Sequence, residues 1–394
     1  MEPQISTLFA PVKRCETDNI NMKSFLYIAG IVFLLFNFSC AKPPEPTKNK
    51  DTCYSLGFFS GYASRNFKMG FTTWPFGPNP QDVTDTYQFI HNYGDIYCEH
   101  IDSKIPWNAW INNLPLPSEF TNEISNKLAK RLNDRPLLLS ISLLNANRSD
   151  LAEDFDGTIL SYINLNDNKI EEAYFKHLKY LINAFNPDYL VMAIEVNELL
   201  LRKPNKWTSY KLLIKHVKAR IKQIYPDLKI SESISLHNLY KANVTNSSDY
   251  INELINYINQ MDFVSFSYYP YLKNQHSKLE FQKNLDFLNN NIHKPIAFVE
   301  TSHLAENLSI PNLNIDINGN ECEQNIYLKT LLTNAQEHHY LFVIWWTHRD
   351  YDALWETFPP EIKDLGQIWR NTGLLDKNGK KRLSFTTWVN ALHK

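Results

Sequence analysis

The 394-residue chain is poor in the features that several protein classes need. It has only 11 glycines and no glycine-rich phosphate loop, so the open doubly wound nucleotide-binding sheet, the alternative α/β fold, is disfavoured. Its 5 cysteines show no zinc spacing, and no His-x-His pattern lies on an early strand, so we expect no metal and no cofactor. A net charge of −2 gives no reason to expect nucleic acid as a partner.

One long apolar stretch is present, at residues 25–38. It is too short for a comfortable membrane span and suits the core of a signal peptide. It follows Met22 and Lys23, and Cys40 comes soon after it, directly behind Ser39. A cysteine in that place resembles a bacterial lipoprotein processing site. We therefore predict a targeting segment at 1–40, with 22–40 as the true signal and lipidation at Cys40; plain cleavage and an uncleaved anchor are the alternatives.

The rest of the chain divides into a short linker and one large domain. Residues 41–55 are polar and contain three prolines, which is typical of an extended tether. Residues 56–394 are long enough for a single α/β domain, which we expect to be monomeric and held at the cell envelope by a lipid anchor. Cys53, Cys98 and Cys322 allow at most one disulfide.

Short apolar runs alternate with segments of helical period along this domain. A helix is indicated from Ile170 to Phe185, another from Leu213 to Ile224, and a third that Ser248 can cap. The alternation predicts a (β/α)₈ TIM barrel. The eight runs predicted as strands are Met69–Trp74, Asp95–Cys98, Pro136–Ser142, Tyr189–Val196, Leu228–Ser233, Asp262–Ser267, Pro295–Val299 and Tyr340–Trp345.

Two glutamates follow buried strands of this predicted barrel. Glu198 follows the fourth strand and Glu300 ends the seventh. All strands of such a barrel end at the same face, so the two carboxylates should converge over one pocket. Glycoside hydrolysis requires two carboxylates, one as proton donor and one as nucleophile or base. Glu195 also lies in the fourth run, and we expect it to pair with a neighbouring strand instead.

Four motifs at predicted strand ends carry a resemblance to a known family. They are Asn197-Glu198, Ser267-Tyr-Tyr-Pro270, Glu300-Thr-Ser302 and Trp345-Trp346. In this order they resemble the clan A retaining glycoside hydrolases, and the family 53 endo-β-1,4-galactanases have a strand-six motif similar to Ser-Tyr-Tyr-Pro. These enzymes commonly carry an arginine near the end of strand two that supports the nucleophile. This chain has Cys98-Glu-His100 there.

The resemblance implies a role for each residue. Glu198 would be the general acid and base, and Glu300 the nucleophile. Asn197 would bind the sugar 2-hydroxyl, Tyr268 or Tyr269 would donate to Glu300, and Trp345 or Trp346 would form the floor of the pocket. Further stacking candidates are Trp74, Trp107 and Trp110, with a core role as the alternative for each. Five more side chains at predicted strand ends are candidate hydroxyl contacts without a catalytic role, namely Glu99, His100, His237, His303 and His348.

Two functions fit these residues. The first is an exported, lipid-anchored retaining glycosidase acting on a β-linked polysaccharide or oligosaccharide, with a galactan-like substrate as one example. The second is a surface glycan-binding protein on the same scaffold that has lost turnover, which the missing arginine would permit. Because both carboxylates are present, we favour the enzyme.

Overall fold

The computed structural model describes Cys53, residues 58–101 and residues 104–394. Cys40, the segment 1–40 and most of the predicted tether at 41–55 lie outside the described residues, so lipidation and export stay predictions. Cys53 is buried and forms a disulfide with Cys322. Cys98 is a buried free thiol. Within the part of the chain that is described, no helix has the length and apolarity to cross a membrane.

The strands form one large sheet and one small hairpin. In chain order they are β1 (Lys68–Thr72), β2 (Ile96–Ile101), β3 (Leu137–Ile141), β4 (Tyr189–Val191), β5 (Lys229–Ser231), β6 (Ser233–Ser235), β7 (Val264–Tyr268), β8 (Ile296–Thr301), β9 (Leu308–Ile310), β10 (Ile315–Ile317) and β11 (Phe342–Trp345). Strands β9 and β10 pair with each other in antiparallel register.

The other nine segments form a parallel sheet in the order β5-β4-β3-β2-β1-β11-β8-β7-β6. Segments β5 and β6 are separated only by Glu232, and they pair with β4 and β7 respectively. They are therefore the two halves of one strand, which brings the ends of the sheet together. The predicted eight-stranded TIM barrel is confirmed.

Helices surround this barrel. Their bounds are Pro80–Tyr93, Trp107–Asn112, Ser118–Leu128, Asn168–Phe185, Asn197–Arg202, Pro204–Ile224, Leu236–Tyr240, Ser247–Ile258, Lys278–Asn291, Glu321–Glu337, Asp352–Trp355, Pro360–Gly366 and Leu383–Leu392. The third predicted helix begins two residues earlier than expected, at Ser247. Its cap is Asn246, whose side chain accepts a hydrogen bond from the Asp249 backbone N–H, so the prediction of Ser248 as the cap was wrong.

Apolar side chains fill the space inside the barrel and the layer outside it. The inner cluster includes Cys98 from β2 and both Ala297 and Val299 from β8. The outer layer joins the strands to the helices through alternate residues such as Leu139 and Phe298. Period-two alternation therefore assigns most strand residues to one of these two layers.

Candidate active site

Glu300 reaches the mouth of the barrel because strand β8 is irregular there. On the side of β7, Phe298 pairs with Phe266 but Glu300 pairs with Ser267, so β8 carries one extra residue. The pairing with β11 shifts in the same segment. Val299 is part of the inner cluster, and a regular strand would turn Glu300 outwards. A bulge that re-aims a side chain is common beside active sites.

The Glu300 carboxylate is buried between two polar side chains. Tyr269 donates its hydroxyl to Oε1 of Glu300. His100 Nε2 lies 3.5 Å from the other oxygen, Oε2. Burial and the charge of Glu300 raise the pKa of Tyr269 well above its ordinary value, and Glu195 acts in the same direction. Tyr269 is therefore a neutral donor at every working pH, suited to hold an ionised carboxylate.

The structure distinguishes the two neighbouring tyrosines. Tyr268 donates its hydroxyl to Gln275 Oε1 at 2.9 Å and packs in the layer between barrel and helices. Tyr269 belongs to an aromatic cluster that also contains Trp74 and Trp346. Of the two candidates for the contact with Glu300, Tyr269 is the one that makes it.

Glu198 lies in the first turn of the helix Asn197–Arg202, with its carboxylate held on three sides. Oε1 accepts hydrogen bonds from Ser235 Oγ at 2.5 Å and from Asn238 Nδ2 at 2.6 Å. Oε2 lies 3.2 Å from Arg202 Nη2, one helical turn on. These partners fix the carboxylate near the end of β6.

Asn197 is buried, and its amide is engaged with the neighbouring segment β6. Its Nδ2 donates to Ser235 Oγ at 3.0 Å, and its Oδ1 accepts from the Ser235 backbone N–H at 2.8 Å. Tyr250 Oη lies 3.2 Å from Nδ2 as well. A contact between this amide and a sugar hydroxyl therefore stays a prediction.

Glu195 forms a buried ion pair with Arg148. Arg148 Nε lies 3.6 Å from Glu195 Oε2, and both side chains are almost fully buried. Arg148 lies in the loop that follows β3, so the partner of Glu195 comes from a loop and not from the neighbouring strand that the sequence predicted. The Glu195 backbone has φ 52°, a left-handed conformation that is uncommon for a residue with a side chain. The charge of Glu195 also raises the pKa of Tyr269, the residue that contacts Glu300.

Aromatic rings form one wall of the site. Trp74 and Trp346 lie with ring centroids 5.1 Å apart, and the His100 ring is 5.7 Å from Trp346. Trp369 lies 5.9 Å from Tyr269. The indole N–H groups of these three tryptophans are buried and have no hydrogen-bond acceptor among the described residues. Such donors suit a ligand rich in hydroxyl oxygens.

The other tryptophan candidates and Glu99 have their partners away from the Glu300 carboxylate. Trp345 donates to the Thr372 carbonyl at 3.0 Å and is buried in the core, so Trp346 is the one of the pair that lies in the site. Trp107 is also a core residue, and Trp110 contacts His177. Glu99 accepts from Thr73, Tyr87 and Lys127 on the helix side of β2. Burial lowers the pKa of His237 and His348 to about 3 and that of His303 to about 4.

One group of described residues, His276, His303 and Glu323, has ligand atoms close enough together to hold a metal ion. His276 Nδ1 lies 3.0 Å from Glu323 Oε2, and the two His303 nitrogens lie 3.1 and 3.3 Å from backbone carbonyls. Hydrogen bonding within the protein thus accounts for these side chains.

A family model described as Glycosyl hydrolase family 53 matches residues 161–387, more than half of the chain. The chain belongs to glycosyl hydrolase family 53. It is therefore a glycosidase on a TIM barrel, and the resemblance drawn from the strand-end motifs is confirmed. No curated protein matches it significantly.

Solved structures with the same fold include members of family 53 and of related families. The GH53 catalytic domain of Ignisphaera aggregans is 17% identical, with a TM-score of 0.52 over 84% of this chain and 92% of that one. The exo-β-1,4-mannosidase Op5Man5 from an Opitutaceae bacterium is 12% identical, with a TM-score of 0.60 over 83% and 59%. A GH5_18 protein from Bifidobacterium longum subsp. infantis is 12% identical, with a TM-score of 0.58 over 84% and 79%.

Sequence reasoning missed Trp369 and left His100 among the lesser candidates. Trp369 follows the helix Pro360–Gly366 and is attached to no strand end, so no periodic signal marks it. His100 did carry a signal, because it stands in the segment where similar enzymes have an arginine.

Proposed function

We propose that this protein is an exported, monomeric retaining glycosidase that cleaves a β-linked polysaccharide or oligosaccharide. The observation that carries the proposal is the buried Glu300, re-aimed by the bulge in β8 and held by Tyr269 and His100. The family match supports it, as do the names of two similar proteins, a family 53 domain and an exo-β-1,4-mannosidase. A β-1,4-linked glycan such as galactan is the substrate class we would test first.

The reaction proceeds by double displacement. Glu300 attacks the anomeric carbon while the glycosidic bond breaks and an acidic side chain protonates the departing oxygen. This gives a covalent glycosyl-enzyme. The same acidic side chain, now ionised, then removes a proton from water, which attacks the anomeric carbon and releases Glu300. The sugar configuration is thereby retained.

Glu198 is our assignment for the acid and base, on the resemblance of Asn197-Glu198 to the family motif. A second carboxylate deserves the same test, because Glu195 influences Tyr269, which contacts the nucleophile. Glu198 is held by Ser235 and Asn238, whereas Glu195 is held by Arg148. If Glu198 is the acid and base, azide should rescue Glu198→Ala. If Glu195 has that role, azide should rescue Glu195→Ala.

The aromatic wall supports a sugar ligand. Trp74, Trp346 and Trp369 offer apolar faces for pyranose rings and buried N–H groups for hydroxyl oxygens. A glycan that occupied the site would satisfy donors that the described protein leaves without an acceptor.

Export and lipid anchoring at Cys40 are part of the same proposal. Disulfides persist in oxidising compartments outside the cytosol, so the bond between Cys53 and Cys322 supports an exported protein. A lipid anchor would then leave the barrel facing the cell exterior or the periplasm, where polymeric glycans are met.

The test begins with dye-linked galactan, mannan, glucan and xylan. Glu300→Ala should abolish turnover of whichever glycan the wild type cleaves. Added azide or formate should restore cleavage of an activated aryl glycoside, with a product of the opposite anomeric configuration. The surface variant Glu253→Ala, on an outer helix, should keep wild-type activity. A folded Glu300→Ala that still turns over the glycan would overturn the proposal.

The acid and base is identified by a parallel experiment. With a 2,4-dinitrophenyl leaving group little protonation is needed, so loss of the acid slows this substrate far less than the natural glycan. Azide should then give a glycosyl azide of retained configuration. We expect this behaviour from Glu198→Ala; if Glu195→Ala shows it and Glu198→Ala does not, Glu195 takes the role.

A further inference from the structure

His100 occupies the place beside the nucleophile where a permanent cation would be expected. Its Nε2 is 3.5 Å from Glu300 Oε2, and about 6% of each side chain is exposed. From the resemblance to clan A enzymes, an arginine is expected near the end of strand two, but the described residues of β2 include no arginine. His100 is the one residue of β2 whose side chain can carry a positive charge, and it lies beside Glu300.

The change from arginine to histidine alters the chemistry of the support. A guanidinium stays charged at every working pH, whereas an imidazole titrates near neutrality. A buried carboxylate is costly unless it is hydrogen-bonded and paired with a positive charge. Tyr269 supplies a neutral donor to one oxygen of Glu300. A protonated His100 would supply the positive charge at the other.

Among the described residues around the site, the His100–Glu300 pair is the group left to titrate. Tyr269 stays neutral, and so does Cys98, because burial and the charges of Glu300 and Glu99 raise the pKa of its thiol well above the ordinary value. The adjoining strand ends carry side chains that do not titrate, namely Thr72, Thr73, Ser140 and Ser142. The other charged groups nearby are mutually paired: Glu99 with Lys127, and Glu195 with Arg148.

We propose that His100 is the positioning residue of the nucleophile, and that its protonated form orients Glu300 and keeps it ionised. This rests on the proposed role of Glu300. Loss of the proton removes the positive charge and weakens the hold on Oε2. The enzyme is therefore built to work on the acidic side of the His100 titration, a limit that an arginine would not impose.

Kinetics test the proposal through the variants His100→Arg and His100→Gln. The probe is the 2,4-dinitrophenyl glycoside of the sugar that the wild type cleaves fastest, because it needs little acid catalysis. For the wild type, kcat/KM should fall with rising pH. His100→Arg should lose that fall. His100→Gln should be slower by roughly 10- to 100-fold at acidic pH, as expected for a lost charge-assisted contact, and should also lack the fall.

A surface histidine provides the matched control. His91 pairs with Asp134 at the surface, so His91→Gln should leave the pH profile of kcat/KM unchanged. A wild-type profile in both His100 variants would overturn the proposal.

A second readout needs no turnover. In protein with isotope-labelled histidine, NMR should follow the His100 imidazole, which is identified by its absence in His100→Gln. Because the Glu300 carboxylate favours the protonated ring, Glu300→Gln should move the midpoint of this titration to lower pH. Unchanged midpoints would overturn the inference even if the enzyme proves inactive on every glycan. An inactive wild type with a shifted midpoint would instead contradict the proposed function alone.

Discussion

The tyrosine pair at the end of β7 allows a sharp test of how the nucleophile is held. Tyr269 donates to Glu300, whereas Tyr268, one residue earlier, donates to Gln275. Both side chains are buried, so Tyr269→Phe and Tyr268→Phe each remove one hydroxyl from a packed interior. The two variants are chemically identical changes in different contacts.

The expected sizes follow from the partners. A hydrogen bond to a charged group contributes about 1.5 to 3 kcal/mol, and each 1.36 kcal/mol is tenfold in rate. Tyr269→Phe should therefore lower kcat/KM by roughly 10- to 150-fold, if the bond is needed in full at the transition state. Tyr268→Phe loses a bond between neutral groups, so it should lower the free energy of unfolding by about 1 kcal/mol and leave kcat/KM close to wild type.

The assay pairs steady-state kinetics on the cleaved glycan with urea unfolding of both variants. Equal losses of kcat/KM in the two would mean that they act through packing. Wild-type kcat/KM in Tyr269→Phe, with an intact fold, would refute the reasoning that the hydroxyl supports the nucleophile.

Two further predictions concern stability and attachment. Burial raises the pKa of Glu232 to about 7, so this carboxyl ionises at lower pH in the unfolded chain than in the folded one. It should contribute about 3 kcal/mol to a fall in the free energy of unfolding between pH 4.5 and 7. Urea unfolding at several pH values should show a fall that is smaller by this amount in Glu232→Gln than in the wild type, because Glu123 and Asp350, whose pKa burial also raises to about 7, still contribute in the variant; equal falls would contradict the prediction. The wild type should fractionate with membranes and incorporate labelled palmitate, whereas Cys40→Ala should do neither, because stable attachment needs the several acyl chains of lipoprotein processing. A wild type found free in the medium would disprove the lipid anchor. A membrane-bound Cys40→Ala would indicate that residues 25–38 remain as the anchor.

The sequence sufficed for the barrel because its strands are buried on both faces. All eight predicted runs overlap barrel strands, since continuous apolar runs between amphipathic helices have few other ways to fold. The sequence did not reveal that Glu232 splits the fifth strand into β5 and β6. That carboxylate is accommodated by Tyr257, at 2.5 Å, and by Tyr210, both from helices distant in sequence. Contacts of this kind have no local signal.

The site was predicted in part for a similar reason. Strand-end position identified Glu300 and Tyr269 as candidates, but period-two alternation could not orient them. The extra residue in β8 shifts the side chains beyond Val299 by one place, and it is visible only in the pairing with β7 and β11. Trp369 comes from a loop, whose shape a single sequence does not encode.

Glu195 and Glu198 show where strand-end reasoning reaches its limit. Glu198 lies in the first turn of a helix and is held near β6, while Glu195 has a left-handed backbone and a buried carboxylate. Such a conformation costs about 1 to 3 kcal/mol and persists only where its surroundings hold it. Here the Glu195 backbone N–H donates to Ser233 Oγ at 2.8 Å and its carboxylate pairs with Arg148. Strain of this kind gathers at functional sites, so the rescue of Glu195→Ala and Glu198→Ala decides whether it serves the chemistry or only the packing of the barrel.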